Sequence, residues 1–317
     1  MSCESGVTGL KACILLVLVC SAYAQVDRAV ELAEHGRCKE ALPVLRSAPA
    51  SSDKQKQQRI GVAGVRCAMT VNLPSDAALF LDRMLRSSPH DPAVLYLATH
   101  VYSDLSTRAS QELMMTNPGS TEVHQLNAEA LETGGDWQHA LEEYRAVAAR
   151  DPDRPGIHFR IARLILSQPK TDATFPEATK ELEAELKIDP NNAGAEYVLG
   201  EIARQQEQWP AAIAHFEKAT RLDVGFADAY TGLGRSLLSA ERTEDAIAPL
   251  EQAAKLNPEN PTTHYYAAIA LTRAGRKADA ERETKLFNEA TAKAQQTKND
   301  VQLGIIGPQR VEPVTPQ

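Results

Sequence analysis

The chain has 317 residues, 43% of them hydrophobic and 24% charged, the balance of a soluble protein able to bury a sizeable core, which excludes disorder along its whole length. Aromatics make up 5%, Ala is abundant, and Val, Ile and Thr seldom alternate with polar residues, so an all-β chain is excluded and helices packed through small side chains are expected. A formal net charge of −8 and a sequence pI near 5.6, with no dense Lys/Arg stripe, argue against a nucleic-acid partner.

At the N-terminus Lys11 precedes an apolar run from Ala12 to Ala24 that ends in Ala22-Tyr23-Ala24, with small residues at the two places a signal peptidase reads. Residues 1–24 are therefore expected to be a secretory signal cleaved after Ala24. The run falls short of the roughly 20 apolar residues that cross a bilayer as a helix. An uncleaved anchor is thus the weaker alternative, and the mature chain is expected to carry no transmembrane span. Cys20 offers a lipoprotein alternative, against which Val19 stands where such a signal wants a small residue. Glu4 and the single Lys11 make the positive region thin.

Loss of that segment removes Cys3, Cys13 and Cys20 and leaves Cys38 and Cys67 as an isolated pair. Two readings stand side by side, a disulfide of an oxidising compartment and two small buried hydrophobes. Cys38 is expected to open a second helix and Cys67 to lie late in the helix that follows, which would bring them together as antiparallel neighbours.

Further along, a column of small residues recurs at Ala128, Ala162, Gly200, Gly234 and Ala268, with every gap 34 except one of 38. A second column, Ala140, Ala178, Ala212, Ala246 and Ala280, carries its long gap one step earlier, so four extra residues lie between Ala162 and Ala178. The stretch from Ser167 to Pro176 has the composition of a loop that absorbs them. Tyr144, Leu182, Phe216 and Leu250 follow the second column by four residues, and Pro152, Pro190 and Pro258 follow it by twelve. Each unit is then a helix, a turn and a second helix ended by a breaker. Such a pair buries its apolar stripes only when the next unit covers it.

The period, the pairs Leu199-Gly200 and Leu233-Gly234, the turn Gly135-Asp136-Trp137, the Ala columns and the closing prolines together resemble the tetratricopeptide repeat. Five units match over residues 121–290. The resemblance implies an all-α, right-handed superhelical solenoid of antiparallel helix pairs, about eight repeats long. Residues 25–120 are expected to hold degenerate repeats. Ala77, Leu81 and Pro89 keep the second-helix spacing, Gly36, Cys38, Ala41 and Leu45 resemble a turn and its following helix, and Pro92 to Thr116 reads as a shortened two-helix unit with Ala98, Ala109 and Leu113 in its columns. The regular repeats and a capping helix from Lys277 to about Gln296 fill residues 121–296. Residues 297–317 read as a flexible tail, in which Val301 to Ile306 could dock as a short segment.

Signatures of chemistry are missing. There is no phosphate loop, no His-Glu-x-x-His zinc motif and no Gly-x-Ser-x-Gly nucleophile elbow. The Gly-rich run Thr231 to Ser236 lies inside a helix, where Gly234 suits close packing. His124, His158 and His264 share one repeat column with Tyr230, one per unit, and so do not converge as metal ligands would. Glu142-Glu143 and Glu181-Glu183 read as solvated helix faces, and Trp137 and Trp209 as packing at the turn before a second helix. Neither catalytic residue, metal nor cofactor is expected.

By the resemblance, the stripe beside each first-helix core should line the concave surface. It runs Gln125, Glu129, Glu132; Phe159, Arg163, Leu166; Tyr197, Glu201, Arg204; Thr231, Arg235, Leu238; and Tyr265, Ile269, Arg273. Aromatic and Arg side chains dominate interface energetics. Phe159, Arg163, Tyr197, Glu201, Arg204, Arg235, Tyr265 and Arg273 are therefore the candidate protein-binding groove, with Arg163, Arg204, Arg235 and Arg273 orienting an extended or helical peptide of acidic character. Repeats that clamp a chaperone's acidic C-terminus carry Lys and Asn where this chain has Phe159, Arg163, Tyr197 and Glu201, so that specialisation is not expected. The functional expectation is a non-enzymatic protein-interaction scaffold of a bacterial envelope or periplasm. A dedicated assembly subunit of a pilus or secretion apparatus is the alternative, and an envelope polysaccharide hydrolase the more distant one.

Overall fold

The computed structural model describes residues 24–49 and 53–302. The expected signal lies outside these residues except for Ala24, as does the expected tail beyond Gln302. Among the described residues all regular structure is helical, in fifteen helices that fall into two compact units divided after Pro118.

The first unit contains α1 (residues 24–34), α2 (Cys38–Ser47), α3 (Lys54–Thr70), α4 (Pro74–Ser87) and α5 (Pro92–Thr116). Helix starts follow local chemistry. Asp53 and Asp91 each accept two backbone N–H groups of the helix that follows, and Pro74 and Pro92 occupy first-turn positions where no N–H is needed. One core joins Val30, Leu42, Leu45, Val65, Phe80 and Leu81. Gly64 allows the Phe80 ring to lie against α3, since a Cβ there would meet it at 2.5 Å. The large residue over the small position is therefore Phe80, one place before the expected Leu81, although both are buried. Cys38 of α2 and Cys67 of α3 are disulfide-bonded, with Cα atoms 4.7 Å apart.

Pro92 to Thr116 departs from expectation. It is one continuous helix of 25 residues, not a shortened helix pair. No Gly or Pro interrupts it, so nothing stops the backbone at a mid-point turn. Ala98 is buried as its column requires, whereas Ala109 is exposed and Leu113 only half-buried.

The second unit contains α6 (Thr121–Gly134), α7 (Trp137–Arg150), α8 (Ile157–Ser167), α9 (Thr174–Ile188), α10 (Ala193–Gln205), α11 (Trp209–Leu222), α12 (Ala227–Ser239), α13 (Thr243–Leu256), α14 (Pro261–Arg273) and α15 (Lys277–Gln302). Within this unit each helix packs on the next from α6 through to α15, the nearest-neighbour stacking of a solenoid. The four extra residues fall in the loop between Ser167 and Thr174, as the columns place them. Ser120, Asp136, Asn192 and Asn260 cap α6, α7, α10 and α14 through side-chain oxygens. α15 runs past the expected end near Gln296 to Gln302, with no Gly or Pro before Gly304 to break it.

The small column explains how closely the helices approach. A Cβ on Gly200 would lie 2.8 Å from the Phe216 ring, and one on Gly232 would lie 2.6 Å from the same ring. Phe216 is thus held between its own pair's first helix and the next pair's. Gly234 gives the same room to Leu250, at 2.4 Å.

Candidate functional site

The histidine column is tied to the second helix of each pair. His124 Nδ1 meets Glu143 Oε2 at 2.6 Å, His158 meets Glu181 at 2.6 Å and His264 meets Glu283 at 2.7 Å. His158 and His264 also place Nε2 3.1 and 2.9 Å from the carbonyls of Pro152 and Pro258. Glu143 and Glu181 are thereby half-buried partners, not the solvated carboxylates their sequence context suggests. Each imidazole serves its own helix pair, and among the described residues no group of three or more His, Cys, Asp or Glu side chains is placed to hold a metal ion.

The expected groove stripe separates into buried, bonded and open members. Thr231 and Leu238 are buried instead of lining a surface. The Thr231 hydroxyl lies 2.8 Å from that of Thr263, joining α12 directly to α14. The first helices α10, α12 and α14 touch one another in succession, whereas the second helices make no comparable approach. First helices therefore form the inner side of this part of the stack. Glu132 is committed to packing, accepting from the Tyr144 hydroxyl at 3.0 Å and from Arg160 at 2.9 Å. Burial pushes the Tyr144 hydroxyl well above its ordinary pKa.

Gln125 donates to Glu129 at 2.9 Å, and the eight candidate groove residues bring together aromatic rings and guanidinium groups. Phe159 lies under Arg163, whose guanidinium carbon is 5.9 Å from the ring centre. Tyr197 packs on Phe216 at 5.8 Å and on Phe226 at 4.8 Å. Burial, then the charges of Glu201 and Asp228, push the Tyr197 hydroxyl up to about 12. Arg204 donates to both oxygens of Glu201, at 3.0 and 2.7 Å, and these bonds raise its pKa. Arg235 lies over Tyr266 at 4.8 Å. Tyr265, 47% exposed, stands against Tyr266 and Phe287. Arg273 donates to the Leu238 carbonyl at 3.3 Å.

All eight candidate groove residues thus lie on α8, α10, α12 and α14, but their charges are not equally available. Glu201 already compensates Arg204, while Arg163, Arg235 and Arg273 have no carboxylate partner among the described residues. Stacked guanidinium groups keep planar N–H donors directed outward. Tyr266 and Phe226 join the face without having been singled out in the sequence. Their signal was adjacency, since Tyr266 follows Tyr265 and Phe226 immediately precedes α12. Trp137 and Trp209 open α7 and α11, and Trp137 remains 46% exposed, so the corner covers only part of its ring.

Similarity to known proteins agrees with this architecture. A family model for the tetratricopeptide repeat matches residues 126–173, 174–225 and 231–295. Mitochondrial import receptor subunit TOM70 of Saccharomyces cerevisiae is 33% identical over 110 residues, which is 33% of this chain and 18% of TOM70. The chain therefore spans less than a fifth of that curated relative. Among solved structures, a MamA RS-1 double mutant superposes with a TM-score of 0.50 at 18% identity, over 56% of this chain and 97% of that one. YrrB, described as a TPR protein with an unusual peptide-binding site, gives 0.48 at 16% identity, over 57% of this chain and 92% of that one. At these identities the structural likeness concerns the fold alone.

Proposed function

The chain belongs to the tetratricopeptide repeat family, and from that premise we propose that it is a non-catalytic protein-interaction scaffold that holds a partner's peptide segment along α8, α10, α12 and α14. The observation that carries this reading is the face from Phe159 to Arg273, where guanidinium groups stacked on rings alternate with half-buried aromatics. Such groups join large contact area to fixed donors. The segment is extended or helical and acidic, oriented by Arg163, Arg235 and Arg273, with Arg204 held by Glu201 as part of the wall.

The place of action proposed is the bacterial envelope after export. This rests on the apolar run Ala12 to Ala24 and its small-residue ending, with the Cys38–Cys67 disulfide in keeping with an oxidising compartment. Affinity purification from envelope fractions tests both parts. The wild type should retain a partner that the double variant Arg163→Glu, Tyr265→Ala releases, and an unchanged partner set would remove the groove assignment. Turnover of envelope polymers by the purified protein would contradict the non-catalytic reading.

A further inference from the structure

The first unit carries a cleft of about 340 Å³ that the proposed function does not use. Its floor is apolar, formed by Val62 of α3, Met84 of α4 and Leu97 of α5, with Arg59, Arg66 and Glu34 among its lining residues. Gly61 makes room for the floor, because a Cβ there would sit 2.3 Å from the Met84 side chain. Arg59 reaches Glu34 only at 3.4 Å, with both side chains largely in water. Arg66 is exposed and has no ion pair among the described residues. In a chain of formal net charge −8, this cleft has two cationic lining residues against one anionic.

We infer that the cleft is a second binding site, for an extended peptide segment in which an apolar side chain is followed two residues later by a carboxylate. The spacing argues for this occupant. Val62 and Arg66 are one helical turn apart on α3, about 6 Å along the axis. Residues two apart on an extended chain face the same way about 6.7 Å apart. The apolar side chain fills the space over Val62, Met84 and Leu97, and the carboxylate meets the free Arg66 guanidinium. The cleft lies at the lower end of the size range of ligand sites, which suits one anchoring side chain and not a whole helix.

The test is a titration of the full chain, labelled at Val, Leu and Met methyl groups, with the peptide acetyl-Gly-Leu-Gly-Asp-Gly-amide. Val62, Met84 and Leu97 methyl signals should shift, and changing the peptide's Asp to Asn or its Leu to Ala should each weaken binding. Arg66→Glu should weaken it about fivefold to tenfold, Arg66→Lys far less, and a peptide with Lys in place of Asp should regain affinity for Arg66→Glu. The groove variant Arg163→Glu, Tyr265→Ala should bind as the wild type does, so this site stands or falls separately from the groove. Absence of shifts at Val62 and Met84, equal binding of the Asp and Asn peptides, or saturation by octanoate where the peptide fails would each overturn the assignment.

Discussion

Glu196 of α10 lies 2.8 Å from Nδ1 of His215 on α11, which reverses the order found in His124–Glu143, His158–Glu181 and His264–Glu283. The two positions are the same columns with their residues exchanged. In the reversed pair the carboxylate is the buried partner, and Lys218 donates to its other oxygen at 2.5 Å. In four of the five units these columns therefore supply a bond between the two helices, independent of which helix carries the imidazole, while Tyr230 and Pro249 occupy them in the fifth.

That equivalence predicts the outcome of an exchange at α6 and α7. His124→Glu alone sets two carboxylates face to face, and Glu143→His sets two imidazoles together, so each should cost about 1 kcal/mol in urea unfolding. The double exchange should recover most of the loss, with a coupling term of at least ~0.5 kcal/mol. Additive losses would mean that the pair is not a bond between the helices.

Glu185 gives the second prediction. It is 1% exposed, yet its oxygens accept from the backbone N–H of Gly156 at 2.8 Å and of Phe159 at 3.3 Å. It therefore caps α8 from the neighbouring α9, at a helix start where Gly156 supplies no side chain of its own. Glu185→Ala leaves those donors unpaired and should cost ~1–3 kcal/mol, while Glu185→Gln keeps an accepting oxygen and should cost less. Hydrogen exchange at the start of α8 localises the effect.

Phe216 and its two glycines give the third. Gly200→Ala forces a methyl into the ring and should destabilise by ~1–3 kcal/mol. The same substitution should be better tolerated with Phe216→Leu, because Ala162 and Leu182 occupy these columns, both fully buried, in the pair before. Thermal unfolding of the three variants checks the interaction between the sites.

For pH, Tyr197 supplies the sign. Its folded-state pKa is raised from 10.0 to about 12, so the neutral phenol is favoured by folding. That contribution is complete below pH 10 and is lost as pH rises through about 12. Tyr197→Phe should flatten this part of the stability profile, and absorbance titration of the wild type should show one tyrosine ionising late relative to the variant.

The disulfide closes a loop with a sequence separation of 29, for which loop entropy gives about 3–4 kcal/mol. Cys38→Ser with Cys67→Ser should therefore lower protection in α2 and α3, leaving α10 to α14 unchanged by hydrogen exchange.

Much of the fold was legible because repetition multiplies weak signals. Columns of Ala, Gly and large apolar residues fixed the helix pairs from α6 to α15 and the position of the loop after Ser167. Where the chain does not repeat, as in α5, spacing borrowed from the regular units suggested a turn that the local residues do not make. Glu185 was invisible for another reason, since its partner is a backbone N–H 29 residues away and no side-chain pattern marks it. The groove was legible as a stripe, but not the distribution of its charge, which depends on whether a guanidinium meets a ring, as at Arg235, or a carboxylate, as at Arg204.

Phe216 has a final consequence, for how such an array can change over evolutionary time. Its ring is shared between Gly200 and Gly232, so the helix pairs α10–α11 and α12–α13 are not interchangeable modules. Excising α10 and α11 would bring the Leu182 column against Gly232 and leave a void, while duplicating them would press Phe216 against Val198, which has a side chain where Gly232 has none. Gain or loss of repeats is easier at other junctions, and these two pairs should be inherited together.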